Sequence, residues 1–91
     1  MNEVAIKEKS AEIASTILHS SDTKTIGVSD VYDIWAVYEE NDITVKLIKK
    51  ANNSVEKTRT VNRYEAEHLR SVIVDYLQIC EKSKKKFFGL F

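Results

Sequence analysis

The side chains that could coordinate a metal ion are few and widely spaced along this chain. His19 and His68 lie far apart, and neither has a cysteine or carboxylate at the spacing typical of a metal site. Glu65 and His68 form a Glu-x-x-His pair, but di-iron bundles need a second such pair and further glutamates from other helices. The residue types therefore predict a solvated histidine at position 68 and no metal site.

Nucleophilic and acid–base chemistry is also poorly represented. Cys80 lies among apolar residues at helical spacing, which indicates a small buried side chain rather than a nucleophile. Asp30 and Asp33 are three apart on a predicted strand, so their side chains face opposite ways and cannot act as a pair. Because glycine-rich phosphate loops and nucleophile elbows are absent too, we predict a protein that is not an enzyme and needs no cofactor.

The clearest periodic pattern covers residues 62–82, which we predict to be the main helix. Its apolar residues recur at spacings of three and four: Leu69, Val72, Ile73, Tyr76, Leu77 and Cys80. Asn62 is the expected N-cap, since its side chain can accept from first-turn amides while Glu65 reaches back to the amide of the cap. The rest of the chain must pack on this stripe.

The remaining elements are predicted from their residue types. A shorter helix is expected over residues 2–20, and strands rich in β-branched and aromatic residues over 31–39, 43–50 and, more polar, 55–61. Residues 20–29 are predicted to form a loop that can include a short extended piece at Thr25–Val28 and that links the helix to the first long strand. The fold class is then α+β, a single domain of order α-β-β-β-α with a three-stranded antiparallel meander and both helices on one face.

Asn41-Asp42 and Asn52-Asn53 are the expected hairpin turns, and they fix which residues share a face of the sheet. The face expected to take both helices holds Ile34, Ala36, Tyr38, Ile43, Val45 and Leu47. The other face, which no element is left to cover, holds Trp35, Val37, Ile48, Val55 and Val61 among Thr44, Lys46, Lys57 and Arg59.

That uncovered face is the main functional prediction. An exposed apolar patch that contains a tryptophan and is rimmed by charge typically marks an interface. We therefore predict a partner-binding site at Trp35, Val37, Ile48 and Arg59, which takes a protein partner or a second copy of the chain. The alternative is that the stems of the neighbouring lysines and arginine simply cover the indole of Trp35.

Composition narrows the class of protein. The 91 residues allow one domain, and 14 basic residues balance 14 acidic ones, which argues against a generic nucleic-acid binder. Weak binding through Trp35 with Lys46, Lys57 and Arg59 stays open as an alternative. A single cysteine and no signal peptide indicate a cytoplasmic location, and no apolar run reaches the ~20 residues of a transmembrane segment.

The chain ends in a lysine run and the apolar tail 87–91, Phe-Phe-Gly-Leu-Phe. It could fold back onto the domain, make a weak contact with a membrane surface, or dock in the groove of a partner. The tail resembles the C-terminal pentapeptides with which bacterial DNA-replication proteins bind the sliding clamp. Phe88, Leu90 and Phe91 match that pattern, whereas Phe87 replaces its usual glutamine; the resemblance implies a replication-associated adaptor.

A second resemblance concerns the first predicted long strand. Val31-Tyr32 and Trp35 resemble a stretch in short uncharacterised proteins of Gram-positive phages and related mobile elements. In those proteins an N-terminal helix also leads into a Val-Tyr-x-x-Trp strand and an antiparallel meander. This resemblance implies no enzymatic activity; it implies an accessory protein that binds a component of the host.

Overall fold

The computed structural model describes the backbone of residues 2–88 and the side chains of residues 2–83. The elements follow one another as α1 (Glu3–Leu18), β1 (Lys24–Gly27), β2 (Tyr32–Tyr38), β3 (Asp42–Lys49), β4 (Val55–Asn62) and α2 (Ala66–Phe88). The strands form one antiparallel sheet in the order β1-β2-β3-β4. The predicted α+β class with two helices is confirmed, but the sheet has four strands rather than three.

The additional strand, β1, overlaps the short extended piece predicted at Thr25–Val28, which was not expected to join the sheet. Its residues pair antiparallel with β2, with Thr25 opposite Trp35 and Ile26 opposite Ile34. Ile26 packs against the hydrophobic core, whereas the other three residues of β1 are exposed. A four-residue edge strand with one inward side chain shows no alternation of apolar residues in its sequence. Its pairing with β2 therefore decides its structure.

The first helix begins at a side-chain cap. Asn2 has an extended backbone, and its side-chain oxygen accepts from the amide of Ala5 at 2.8 Å, which satisfies one free donor of the first turn. The helix ends at Leu18, and the amide of His19 still donates to the carbonyl of Ser15. Its buried side chains are Ile6, Ser10, Ile13, Ala14 and Ile17.

The second helix begins later than predicted, because Asn62 is not its cap. Asn62 ends β4, and its side chain accepts from the amide of Tyr64 at 2.9 Å in a turn that precedes the helix. The carbonyl of Glu65 instead accepts the first helical hydrogen bond, from the amide of Leu69 at 3.1 Å. An asparagine side chain can close either kind of turn, so the sequence pattern did not distinguish them.

The hairpin between β2 and β3 is one residue out of the predicted position. The amide of Glu39 donates to the carbonyl of Asp42 at 2.9 Å, so Glu40 and Asn41 form the turn. Tyr38 therefore pairs with Ile43, whereas the predicted turn at Asn41-Asp42 would have paired it with Val45. Because this slip moves every pair by two residues, the side chains of β2 and β3 keep their predicted faces.

A β-bulge in β4 has a larger effect on the faces. Leu47 pairs with Lys57 but the next residue, Ile48, pairs with Val55, so Glu56 is an extra residue in β4. The carboxylate of Glu56 accepts from the hydroxyl of Tyr32 at 3.2 Å. This bond gives the polar hydroxyl of a buried tyrosine a hydrogen-bond partner.

The bulge reverses the faces of the rest of β4. Lys57, Arg59 and Val61 lie opposite Leu47, Val45 and Ile43, on the side that takes the helices. Their predicted position beside Trp35 is therefore wrong. Val61 is part of the core at 2% exposure, and Arg59 reaches Asp75 of α2, with 3.7 Å between the guanidinium nitrogen and the carboxylate oxygen.

Both helices contribute to a single core on this side of the sheet. The core contains the alternating residues of β2 and β3 and the apolar stripes of both helices: Ile6, Ile13, Ala14, Ile17, Tyr32, Ile34, Ala36, Ile43, Val45, Leu47, Val61, Leu69, Val72, Ile73, Tyr76, Leu77 and Cys80. Two tyrosine hydroxyls connect the layers: Tyr76 donates to the carbonyl of Val45 at 2.6 Å, and Tyr38 to that of Ile17 at 2.7 Å.

One polar side chain of α1, that of Ser10, lies inside this core. Ser10 is buried, and its hydroxyl has no hydrogen-bond partner among the described residues. Leaving a buried hydroxyl unpaired costs about 1–3 kcal/mol. We therefore expect Ser10→Ala to leave the free energy of unfolding unchanged or to raise it by up to about 1 kcal/mol in urea titrations. Ser15→Ala, at an exposed position of the same helix, controls for helix propensity; a loss at Ser10 larger than at Ser15 would contradict the expectation.

Candidate interaction surface

The side of the sheet without helices is the candidate site, and we call it the helix-free face. By the strand register it carries Thr25 of β1, Asp33, Trp35 and Val37 of β2, Thr44, Lys46 and Ile48 of β3, and Val55, Thr58 and Thr60 of β4. The apolar side chains on this face form one group around the β2–β3 pair. None of the described helices packs over them, since both helices belong to the core on the opposite side.

Three of the four predicted partner-binding residues lie together on this face. Trp35 and Val37 are partly buried, and Ile48 is 1% exposed although it lies outside the core under the helices. The cross-strand partners of Ile48 are Asp33 and Val55, which flank it on either side. The indole of Trp35 is therefore not the fully exposed group that the sequence suggested.

The fourth predicted residue, Arg59, lies on the other side of the sheet. It is half exposed there and forms its ion pair with Asp75. The face also includes Thr25, which was predicted to be extended but not to be part of the sheet; it pairs directly with Trp35. Ile26 was the one available signal for this strand, because its neighbours are polar.

The helix-free face carries little charge. Among the described residues it holds one cation, Lys46, and one anion, Asp33, and Lys50 lies 3.7 Å from the carboxylate of Asp33. The hydroxyls of Thr44 and Thr60 are 3.1 Å apart, across the β3–β4 pair. Such a surface can pack against a partner and form hydrogen bonds with it.

The strand register also separates the residues that the nucleic-acid alternative requires on one surface. That alternative needs Lys57 and Arg59 beside Trp35, to bind phosphate while the indole stacks on a base. Both residues lie on the helix side of the sheet, so only Lys46 accompanies the tryptophan.

The tyrosines with shifted pKa values belong to the core side. Burial raises the pKa of Tyr76 to about 12, with a further increase from Asp75 that is opposed by Arg59. Burial also raises the pKa of Tyr38, against the lowering effects of a hydrogen bond with Ser20 and of the charge of Arg63. Both hydroxyls donate to backbone carbonyls of neighbouring elements, so the role of these two tyrosines is structural.

The candidate metal ligands do not come together in the described part of the chain. No three His, Cys, Asp or Glu side chains there could hold one ion. Nδ1 of His68 lies 3.5 Å from a carboxylate oxygen of Glu65 on the surface, and Nδ1 of His19 is 2.7 Å from the carbonyl oxygen of Ser15. Cys80 is buried in the core.

The predicted tail motif falls outside the described part of the chain, apart from the backbone of Phe88. Phe88 ends α2, but its side chain and the residues 89–91, which include Leu90 and Phe91, lie outside the described part of the chain. None of the described helices is long and apolar enough to cross a membrane.

Comparison with known proteins identifies no relative of this chain. The chain matches no protein-family model, no curated protein and no solved structure.

Proposed function

We propose that this protein is a non-enzymatic protein-binding module that associates with a second copy of itself through the helix-free face. The observation that carries the proposal is the one-sided arrangement of the helices, which leaves Trp35, Val37 and Val55 of a four-stranded sheet without a covering layer. Sheets with one apolar side uncovered are typically completed by packing against another layer.

A second copy suits this face because the charges on it are self-complementary. Asp33 and Lys46 lie on neighbouring strands and two positions apart along the register, since Asp33 is opposite Ile48 and Lys46 is opposite Trp35. A two-fold axis between them brings the aspartate of one copy to the lysine of the other, and the reverse. The same rotation places Trp35 and Ile48 beside the axis, and Val37 lies about 10 Å further along β2 within the contact.

Association through the outer strand is less suitable than association through the face. The exposed part of β4 carries Glu56, Lys57 and Arg59 as well as the bulge, and charged side chains and bulges are features that keep edge strands from pairing. Around Trp35 the described part of the helix-free face carries one cation, Lys46, and the β2–β3 pairing has no bulge.

The size of the face sets the expected strength of the dimer. Four strands of about seven residues cover roughly 19 Å by 23 Å, or about 440 Å² of flat area per copy. Stable interfaces bury about 800 Å² on each partner, so this dimer should be weak, with a dissociation constant on the order of 10–100 μM.

The resemblance of Val31-Tyr32 and Trp35 to phage proteins adds a biological setting to this proposal. We place the module among the accessory proteins of phages or mobile elements, acting in the cytoplasm of the host. The protein partner there is either the second copy alone or a host protein that competes for the same face.

Analytical ultracentrifugation tests the dimer directly. The wild type should shift from monomer to dimer between about 5 and 500 μM, while Val37→Glu, which places a charge in the contact, stays monomeric throughout. Trp35→Ala should weaken the dimer at least about tenfold, since it removes the largest side chain of the contact.

Val4→Glu is the matched control, because Val4 is exposed on α1, on the other side of the molecule. It should dimerise like the wild type, and circular dichroism should show all variants folded. A wild type that remains monomeric at the highest concentration removes the proposal, and so does a dimer that Val37→Glu leaves intact.

A further inference from the structure

The outer edge of β1 has no neighbouring strand among the described residues, because β1 is the first strand in the order of the sheet. In an antiparallel sheet the backbone groups of successive residues point to alternate neighbours. The carbonyl of Val31, just before β2, accepts from the amide of Lys50, just after β3. The amide of Glu39, just after β2, likewise donates to the carbonyl of Asp42. The odd-numbered residues of β2 therefore bond to β3, and its even-numbered residues bond to β1.

The same alternation identifies the free backbone groups of β1. Its even-numbered residues, Lys24 and Ile26, lie opposite even-numbered residues of β2 and bond to them. The amide and carbonyl groups of Thr25 and Gly27 then point outward, and both residues are exposed. They offer donors and acceptors in the alternating order that another extended chain matches.

Nothing within the described part of the fold requires a glycine at position 27. The φ angle of Gly27 is not positive, and the β1–β2 pairing has no bulge. A Cβ added at Gly27 would meet Oδ1 of Asp33 at 3.6 Å, which is an ordinary contact distance. Glycine weakens a strand, because it loses more conformational freedom than other residues and has no side chain to pack. In a regular strand it is typical of a site that another backbone approaches closely.

The carboxylate of Asp33 lies beside the gap that this glycine leaves. Its Oδ1 atom is also 3.7 Å from Nζ of Lys50, and the two side chains are 24% and 41% exposed. Such a solvent-screened pair is weak, so the carboxylate can accept a second cation. A strand added to β1 would lie about 5 Å from Gly27 and about 10 Å from Asp33. A lysine or arginine on that strand, opposite Gly27, can therefore reach the carboxylate across the glycine.

We propose that the outer edge of β1 binds an extended segment of another protein as an additional antiparallel strand. The segment carries a lysine or arginine opposite Gly27 and a β-branched residue opposite Ile26. Ile26 is partly buried and packs against the core, so an apolar neighbour on the same face extends that packing. In this mode of binding the backbone hydrogen bonds provide affinity, and the alternating side chains provide specificity.

A second copy of β1 suits this edge less well than a basic segment does. Only residues whose own backbone groups point outward can bond to Gly27, and in the copy these are the odd-numbered ones. Gly27 would therefore face Thr23, Thr25 or Gly27 of the copy, none of which is a cation. The carboxylate of Asp33 would gain no partner from such a pairing.

Peptide titration followed by the amide resonances of the protein tests the proposal. The protein carries Val37→Glu, which keeps association through the helix-free face out of the measurement, so the result does not depend on the dimer. The probe is the end-capped peptide Ser-Val-Lys-Val-Thr-Ser, whose lysine falls opposite Gly27 and whose second valine falls opposite Ile26. We expect a dissociation constant on the order of 0.1–1 mM, with larger shifts at the amides of Thr25 and Gly27 than at Ile26. The same peptide with glutamate in place of lysine should bind about fivefold more weakly.

Three variants of this protein locate the contact. Asp33→Asn should remove the preference for the lysine peptide, so that both peptides bind equally. Gly27→Ala should weaken binding by about three- to tenfold, because its methyl group lies between the carboxylate and the cation, while urea titrations show no loss of stability. Asp42→Asn is the matched control, since this exposed aspartate lies at the other end of the sheet, and it should bind like the parent.

Equal affinity for the lysine and glutamate peptides would overturn the proposal, as would Gly27→Ala that binds as tightly as its parent. Shifts that cluster away from β1 would overturn it too. If the Val37→Glu protein alone shows the shifts at Thr25 and Gly27 as its concentration rises, the edge belongs to a second copy instead.

Discussion

Leu47→Ala should lower the free energy of unfolding by about 3–4 kcal/mol, close to half of what a domain of this size possesses. The side chain of Leu47 is fully buried in the middle of β3, under the layer made by both helices. Truncation there leaves a cavity that the packed helices cannot fill, so the cost includes lost transfer energy and the cavity itself. Urea unfolding monitored by far-ultraviolet circular dichroism measures the loss.

Ile48→Ala is the informative comparison, because Ile48 is the next residue and points to the opposite side of the sheet. It is 1% exposed, but no described helix lies over it, so water can occupy the space that truncation creates. We expect a loss of about 1–2 kcal/mol at low protein concentration. The loss should grow at high concentration if a second copy packs on that face. Equal losses at both positions, at any concentration, would show that the two sides of the sheet are packed alike.

Alkaline pH should destabilise the protein through Tyr76, by up to about 2–3 kcal/mol at pH 12. Burial raises the pKa of this hydroxyl from its ordinary value near 10 to about 12. Below pH 10 the phenol is protonated in both the folded and the unfolded chain, and its contribution is fully present. Between pH 10 and 12 only the unfolded chain releases the proton, so the unfolded state gains and stability falls as pH rises.

Tyr76→Phe isolates this effect from the titration of the lysines. The variant loses the bond to the carbonyl of Val45, so it should be about 1–2 kcal/mol less stable at pH 7. Its stability should then fall less steeply than that of the wild type above about pH 10, and the two curves should converge by about pH 12. Parallel curves for wild type and Tyr76→Phe would rule out Tyr76 as the group responsible.

The parts of the fold that follow from periodicity were predictable from sequence. The apolar stripe of α2, from Leu69 to Cys80, is buried as its spacing of three and four requires. The alternation in β2 and β3 also placed Ile34 and Leu47 on the core side, and a turn displaced by one residue did not alter that. These features depend on local pattern alone, which is why they were accessible.

The features that sequence missed depend on contacts between distant segments. Val55 and Val61 are six residues apart, an even number that predicts a shared face, and only the bulge at Glu56 separates them. That bulge is supported by the bond from Glu56 to Tyr32, which is 24 residues away in the chain. The short β1 likewise exists because β2 offers a free edge beside Thr25 and Ile26. The candidate site inherited these errors, so Arg59 was included and Thr25 was not.

The arrangement of the helices has a consequence for synthesis on the ribosome. Each strand pairs with its neighbour in sequence, so the sheet can assemble as the chain emerges. α1 and α2, the first and last elements, pack against each other and close the core together. Until α2 has left the exit tunnel, a nascent chain would display Ile34, Val45 and Leu47 to solvent, and it would be a target for chaperones that hold exposed apolar segments.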